Sequence, residues 1–379
     1  VLWLALKALL HEKARFVLTL AGIAVSAVLA LVEIGIYLGM MGNATAVIRH
    51  TDGDLWVVSR GIQSFDFALP FPEERLHAVR ALPEVVGAEK ILFNYGFIKL
   101  PSGAREQVQF IGFNPDTGVG GPWAMLQGKP GDVKGGRYMI LDRTARQRLG
   151  SLAPGSLWEV TFHREQSFRL VGLSDGIVSF TTIPIVFLAY HELERLFREA
   201  GIAGQTSFIV AKLGERADRA RVAASLQQRM KDNEVLTREQ FIRRTVAYWT
   251  IQTGMGMAFF LTALLAVLIG SAIVGQTIYA STVQYLREYG TLKALGAENA
   301  DIYRVIQIQA ALGAAGGFAL AAALVLAGRK GIEAAGVPLY LSPTLFAAVF
   351  CVFLAACLVS AFFSVAKIRA LDPVSVFKA

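Results

Sequence analysis

Four apolar runs, at residues 16–41, 255–279, 305–327 and 344–365, constrain this chain more than any other feature. Each exceeds the roughly 20 residues that a helix needs to cross a bilayer. A segment of that length can satisfy its own backbone in lipid only as a helix, so four spans are predicted. Between the first two runs lies sequence of another kind, holding most of the charges and prolines and no apolar run of span length. The fold class expected is therefore a membrane α-helical protein of four transmembrane helices, with a large α+β extracytoplasmic domain inserted between helices 1 and 2. With 54% hydrophobic and 17% charged residues and a mean hydropathy of +0.48, the chain is too apolar for an ordinary soluble protein.

The pattern sets the layout. Residues 1–15 read as a cytoplasmic interfacial helix and 16–42 as the first span. The outer domain takes 43–249, with a smaller lobe at about 123–187. The second span follows at 250–284, a cytoplasmic loop at 285–304, the third span at 305–327, a short external loop at 328–343, the fourth span at 344–366 and a cytoplasmic tail at 367–379. A cleaved signal peptide is the rival for the first run, which is well beyond the roughly 7 to 15 residues of such a segment. Glu33 interrupts that run near its outer end, where a carboxylate can snorkel to the interface. Gly35 and Gly39 form a small-residue pair that would let a second helix approach closely and serve as dimer packing, and Gly313 and Gly317 are spaced likewise.

Within 43–249, period-two or β-rich runs at 54–59, 107–113, 156–162, 167–173 and 207–213 predict strands. Leu76, Val79 and Leu82 after Glu73 and Glu74 predict a helix, as do Val222, Leu226 and Met230. Thr237 to Gln240 matches a capping box, and no Gly or Pro interrupts 241–250. A helix passing unbroken from the outer domain into the second span is expected.

Basic residues flank the spans on one side: Lys7, Lys13 and Arg15, then Arg287, Lys293 and Arg304, then Lys367, Arg369 and Lys378. The positive-inside bias puts both termini and the 285–304 loop in the cytoplasm. That loop is a compact island of mixed charge. It reads as a short helix on which Leu286, Thr291, Leu292 and Leu295 share a face while Arg287, Glu288 and Lys293 stay near water, and Gly296 stops it. A helix of this kind on a membrane chain suits a partner.

The net charge of +8 is scattered, without the aromatic-interleaved basic stripe of a nucleic-acid binder, and contact with anionic membrane lipids accounts for it. No phosphate-loop motif occurs, so no nucleotide-binding residue, metal ligand or other cofactor site is assigned. ATP would have to be held by a partner subunit. His11, His50, His77, His163 and His191 lack metal-ligand spacing, and Cys351 and Cys357 share one apolar run. Gly172-Leu-Ser174-Asp-Gly176 matches a nucleophile elbow, but 177–188 is β-branched and contains Pro184 where the elbow needs a helix. A turn between strands is expected there, and no catalytic residue is assigned. Asn43-Ala-Thr45 is a glycosylation sequon by pattern alone.

The layout, with Arg287-Glu-Tyr-Gly-Thr-Leu-Lys-Ala-Leu-Gly-Ala297 between the second and third spans, resembles the FtsX-like/MacB-like permeases of ABC transporters. A narrower likeness is to the DevC-type exporter permeases. It rests on Glu12-Lys-Ala-Arg15 with Leu20-Ala-Gly-Ile23, Gly53-Asp-Leu-Trp56, Phe110-Ile-Gly-Phe-Asn-Pro115, Val235 to Ile242 with Tyr248-Trp249, and Asp372 to Phe377. The resemblance implies a non-catalytic, homodimeric permease subunit in the bacterial inner membrane, served by a separate cytoplasmic ABC ATPase. It further implies a periplasmic membrane-fusion adaptor and a TolC-like outer-membrane duct. ATPase coupling would fall on Arg287, Glu288, Gly290, Leu292, Lys293, Leu295 and Gly296. Two other classes stay open at this point: an FtsX-like regulator of cell-wall hydrolases, and a membrane-anchored serine hydrolase acting through Ser174.

Overall fold

The computed structural model describes residues 13–366; the expected interfacial helix before Lys13 and the tail 367–379 lie outside them. In chain order the helices are α1 (Lys13–His50), α2 (Arg75–Arg80), α3 (Arg146–Leu149), α4 (Tyr190–Glu199), α5 (Arg219–Arg229), α6 (Arg238–Ala247), α7 (Met255–Gln284), α8 (Leu286–Ala294), α9 (Asn299–Ala334) and α10 (Pro343–Ala366). The strands are β1 (Leu55–Ser59), β2 (Phe71–Pro72), β3 (Val85–Lys99), β4 (Arg105–Phe113), β5 (Met125–Gln127), β6 (Tyr138–Asp142), β7 (Leu157–Thr161), β8 (Glu165–Ser174), β9 (Ile185–Ala189), β10 (Gln205–Thr206), β11 (Phe208–Leu213) and β12 (Asn233–Thr237). They build two compact units, one from residues 13–38 with 256–366 and one from 39–255.

The first unit is a helical bundle whose helices α1, α7, α9 and α10 are long and apolar enough to cross a membrane. Its core sets small residues, Ala24, Ala27, Ala30, Ala266, Ala310, Ala314, Ala321 and Ala361, among larger ones such as Ile23, Leu31, Ile306 and Phe353. Large side chains such as Phe260, Leu265, Leu268, Phe362 and Phe363 point outward. Large apolar side chains on the outer face and small ones at the helix contacts suit lipid, where helices gain from close packing. Gly317 carries it furthest, since a Cβ there would stand 2.6 Å from Ile23 and 3.3 Å from the Leu20 carbonyl. Gly270 against Ser26 and Phe353, and Gly275 against Ser360, do the same for α7.

The second unit is α+β. Its strands β12-β1-β11-β3 form an antiparallel sheet, and α2 and α5 supply the crossovers of a β-α-β-β-α-β unit in that strand order, which is ferredoxin-like. Alternation decides the faces. Leu55 and Val57 meet Leu76, Val79, Val222 and Leu226 on the helix side, while Trp56 and Val58 enter a second core with Phe208, Val210 and Phe241. Gly53 lies where a Cβ would fall 2.0 Å from Val210. Next to it, Asp54 accepts from the Leu213 amide at 3.0 Å and pairs with Arg219 at 2.9 Å, tying β1 to β11 and to the start of α5.

β3 does not end with that sheet. Its first half pairs with β11 as far as Ile91, and from Leu92 onward it pairs with β4. Pairing continues from β4 to β9, β6, β8 and β7, and β7 returns to Phe97 and Ile98 of β3, which closes a circuit. Ile98, Phe110, Leu141, Trp158, Val160, Phe168, Leu170 and Leu188 from these strands join one core with Leu193 and Phe197 of α4. The residues read as a smaller lobe supply much of the circuit, and β3 and β4 complete it.

The expected unbroken helix into the second span is not what forms. α6 ends at Ala247, a π-helical turn follows at Tyr248–Gln252, and Gly254 stands in the left-handed region at φ +71° before α7 begins. The hydroxyl of Thr253 bonds the Trp249 carbonyl at 2.6 Å and helps to close the turn. Only glycine adopts that backbone geometry cheaply, and it sits just past the stretch whose lack of Gly suggested continuity.

Candidate functional site

The island between the second and third membrane helices is built as a separate, capped helix. α8 runs from Leu286 to Ala294, the Leu295 amide bonds the Thr291 carbonyl at 3.0 Å, and Gly296 at φ +99° turns the chain away. A reciprocal cap then opens α9: the Asp301 carboxylate accepts from the Glu298 amide at 3.3 Å, and the Asp301 amide returns a bond of 3.1 Å to the Glu298 carbonyl. Two caps so close together define the corner between the helices.

Of the coupling residues named from sequence, Arg287, Glu288, Lys293, Leu295 and Gly296 are exposed and Gly290 is half-buried. Leu295 is 80% exposed, the largest exposure among the big apolar side chains of the described residues. The side chains of Leu286 and Leu292 lie outside the described residues. A small open recess of about 540 Å³ lies beside the corner, lined by Lys293, Ala297, Glu298, Asn299 and Ala300. Among its described side chains the island thus offers an apolar tip at Leu295 with both charges near it.

Sequence reasoning passed over Tyr289, whose phenol is half-buried on α8 and pushed up to about 12 by that burial, with Glu288 adding to it. Its neighbours Arg287 and Glu288 are exposed. Asp66 was missed as well. Ser-Phe-Asp-Phe reads as an ordinary loop, and nothing in its spacing announces that the turn tucks its carboxyl inside.

Of the pair assigned to dimer packing, Gly35 has a contact within the chain. A Cβ there would stand 2.9 Å from Leu339 and 3.3 Å from the Tyr340 carbonyl, and its own carbonyl accepts from the Tyr340 amide at 3.0 Å. Gly39, one turn on, is half-buried.

Ser174 is not presented as a nucleophile. It is fully buried, and its hydroxyl donates to Asp142 Oδ2 at 2.7 Å, an oxygen that also accepts from the Ile177 amide at 2.8 Å. Asp142 Oδ1 meanwhile takes both the amide and the hydroxyl of Thr144, at 2.9 and 2.7 Å. Strand β8 carries Ser174 as its last residue, and the chain continues through a bridge between Val178 and Pro184 into β9, with no helix behind the serine. The carboxylate is a staple joining the ends of β6 and β8.

Two family models divide this chain. The MacB-like periplasmic core domain matches residues 16–229 and the FtsX-like permease C-terminal region matches residues 256–373. An uncharacterized ABC transporter permease of Methanocaldococcus jannaschii is 27% identical over 164 residues, covering 41% of this chain and 39% of that protein. The chain therefore aligns with about two fifths of that relative's length. Among solved structures, the periplasmic region of MacB from Actinobacillus actinomycetemcomitans is 13% identical with a TM-score of 0.40, covering 52% of this chain and 95% of that one. The extracellular domain of the noncanonic ABC-type transporter YknZ from Gram-positive bacteria is also 13% identical, with a TM-score of 0.34, covering 48% and 98%. On the extent of the family match, which takes in more than half of its residues, the chain belongs to the MacB-like periplasmic core family, here joined to an FtsX-like permease region.

Proposed function

We propose that this protein is the permease subunit of an ABC-type exporter, and that it passes the opening and closing of a separate cytoplasmic ATPase to its α+β unit. One observation carries the reading: a self-capped helix, α8, displays Leu295 at 80% exposure between two membrane helices. An isolated exposed leucine is ordinary. Here it stands at the tip of a corner that two caps define, with Arg287, Glu288 and Lys293 exposed around it. Leu292 and Leu295 would fill a groove on the ATPase, and the three charges would set the register at the rim. ATP binds the partner; this chain supplies the lever.

The rest of the assembly is proposed by likeness to the family. The protein works as a homodimer in the bacterial inner membrane, with both termini and α8 on the cytoplasmic side. A periplasmic membrane-fusion adaptor and an outer-membrane duct continue the path. Since the chain aligns with only part of its curated relative, these partners belong to the proposal.

Replacing Leu292 and Leu295 together by Ala tests it. Truncating a buried interface anchor costs about 2 kcal/mol of binding, or roughly thirtyfold in affinity. Recruitment of the purified ATPase to membranes and export should both fall, with protein level unchanged. Normal ATPase binding by the double variant would reduce the island to a connector.

A further inference from the structure

Asp66 stands out among the buried groups for which neither the fold nor the proposed coupling has a use. It lies in a short 3₁₀ turn, Phe65–Phe67, and is 7% exposed. Its carboxyl faces the amide of Gln109 on β4 and the indole of Trp249 in the π-helical turn. Tyr95 of β3 is the titratable group that faces it, and its hydroxyl donates to the Asp66 main-chain carbonyl at 3.4 Å. Among the described residues no counter-charge and no metal-ligating cluster accompanies it. Rings close the site: Phe180 stacks on Trp249 at 3.7 Å, and Phe67 meets Tyr248 edge-on at 5.5 Å.

The hydrogen-bond inventory here is unbalanced. Oδ2 of Asp66, Oε1 of Gln109 and Nε1 of Trp249 are all buried without a partner. Two of the three are acceptors, and leaving a buried polar atom unsatisfied is costly. A proton on the carboxyl turns one acceptor into a donor and removes the buried charge. We propose that Asp66, with Gln109 and Trp249, is a proton-binding site whose neutral form fastens the 248–252 turn, the segment leading into α7, onto the α+β unit.

Burial raises the Asp66 carboxyl from 3.8 to about 7, outweighing its own main-chain amide and the Gln109 and Trp249 side chains, which lie too far for well-formed hydrogen bonds and pull the other way. Below that pH the acid is neutral and the turn is seated. Above it the carboxylate must recruit water, and the rings over it have to part. The ligand is a proton, and the acidity of the compartment bathing the α+β unit would set how firmly the chain is held just before its second membrane helix.

The test is hydrogen exchange on the full-length protein in nanodiscs, from about pH 5 to about pH 9, corrected for intrinsic rates. Protection at 65–67 and 248–252 should fall about tenfold through a midpoint near 7. In Asp66→Asn it should stay at its acid-side level throughout. His50, stacked on Trp123 at 4.2 Å, is a histidine of the same unit, and His50→Gln should leave the transition in place. An infrared band of a protonated carboxyl, present at about pH 6 and gone at about pH 9, reads the site in the wild type without relying on a variant's folding. A transition that persists in Asp66→Asn, or a wild type with no such band and no change in protection, overturns the proposal.

Discussion

Ser174 and Asp142 give the sharpest test of whether the β6–β8 corner is a staple or a reaction centre. The Asp142 carboxylate is fully buried and accepts four hydrogen bonds, from Ser174, Ile177 and both donors of Thr144. Hydrogen bonds to a charged group contribute about 1.5 to 3 kcal/mol each. Ser174→Ala removes one donor and lets the other three bonds stand, so a loss of about 1.5 kcal/mol is expected. Asp142→Ala strands the Ser174 hydroxyl, the Ile177 amide and both Thr144 donors together. Its cost should reach about 4 kcal/mol, in the range of breaking a buried charged network. Hydrogen exchange at the Ile177 amide reads this locally: about tenfold faster for Ser174→Ala, and on the order of a thousandfold for Asp142→Ala if opening there is subglobal. A serine-directed fluorophosphonate should label neither the wild type nor the variant at this position. Labelling that Ser174→Ala abolishes, or exchange that is unchanged in Asp142→Ala, would refute the argument.

Other predictions concern the membrane unit, the topology and pH. Gly317→Leu drives a side chain into Ile23 and the Leu20 carbonyl, so the bundle should lose about 3 kcal/mol, seen as a lower unfolding midpoint in mild detergent. Gly313→Ala, where a Cβ meets Ile23 only at 3.9 Å, should be close to neutral in the same assay. Cysteine placed at exposed Ser102, in the turn between β3 and β4, should react with an impermeant maleimide from the periplasmic side only. Because burial raises Asp66 in the folded state from 3.8 to about 7, its contribution to stability is fully present below about pH 4 and is lost as pH rises to about 7. The loss has an upper bound of about 4 kcal/mol, and Asp66→Asn should flatten that part of the stability profile.

The membrane helices were legible because length alone decides them: an apolar run past about 20 residues has few other fates. Period-two runs likewise announced β4, β7, β8 and β11 to within a residue or two. β3 escaped notice because it is half-exposed over much of its length, and Gly87, Glu89, Lys90 and Gly96 break its alternation. The closed circuit could not be read at all. It depends on parallel pairing of β4 with β9 and of β6 with β8, partners far apart in sequence that no local signal links. Gly35 was read from a spacing that also serves contacts within one chain, and its approach to Leu339 and Tyr340 is one that spacing does not announce. At the island, the cap at Gly296 and the exposure of Arg287, Glu288 and Lys293 followed from charge and glycine placement. Asp66 did not, since its depth comes from how Phe65 and Phe67 seat the turn, which pattern does not encode.

β3 carries a consequence for how such a domain can be remodelled. One continuous backbone serves as an edge of the open sheet up to Ile91 and as a stave of the closed one from Leu92. Such a beam has no joint at which the two parts could swivel, and neither part can be excised or exchanged without cutting a strand that both require. Variation between relatives should therefore gather at the 100–104 turn, where β3 hands over to β4 and extra residues cost no ladder. A load applied at one end would travel along the strand as tension in peptide bonds, reaching the far end undiminished by any hinge.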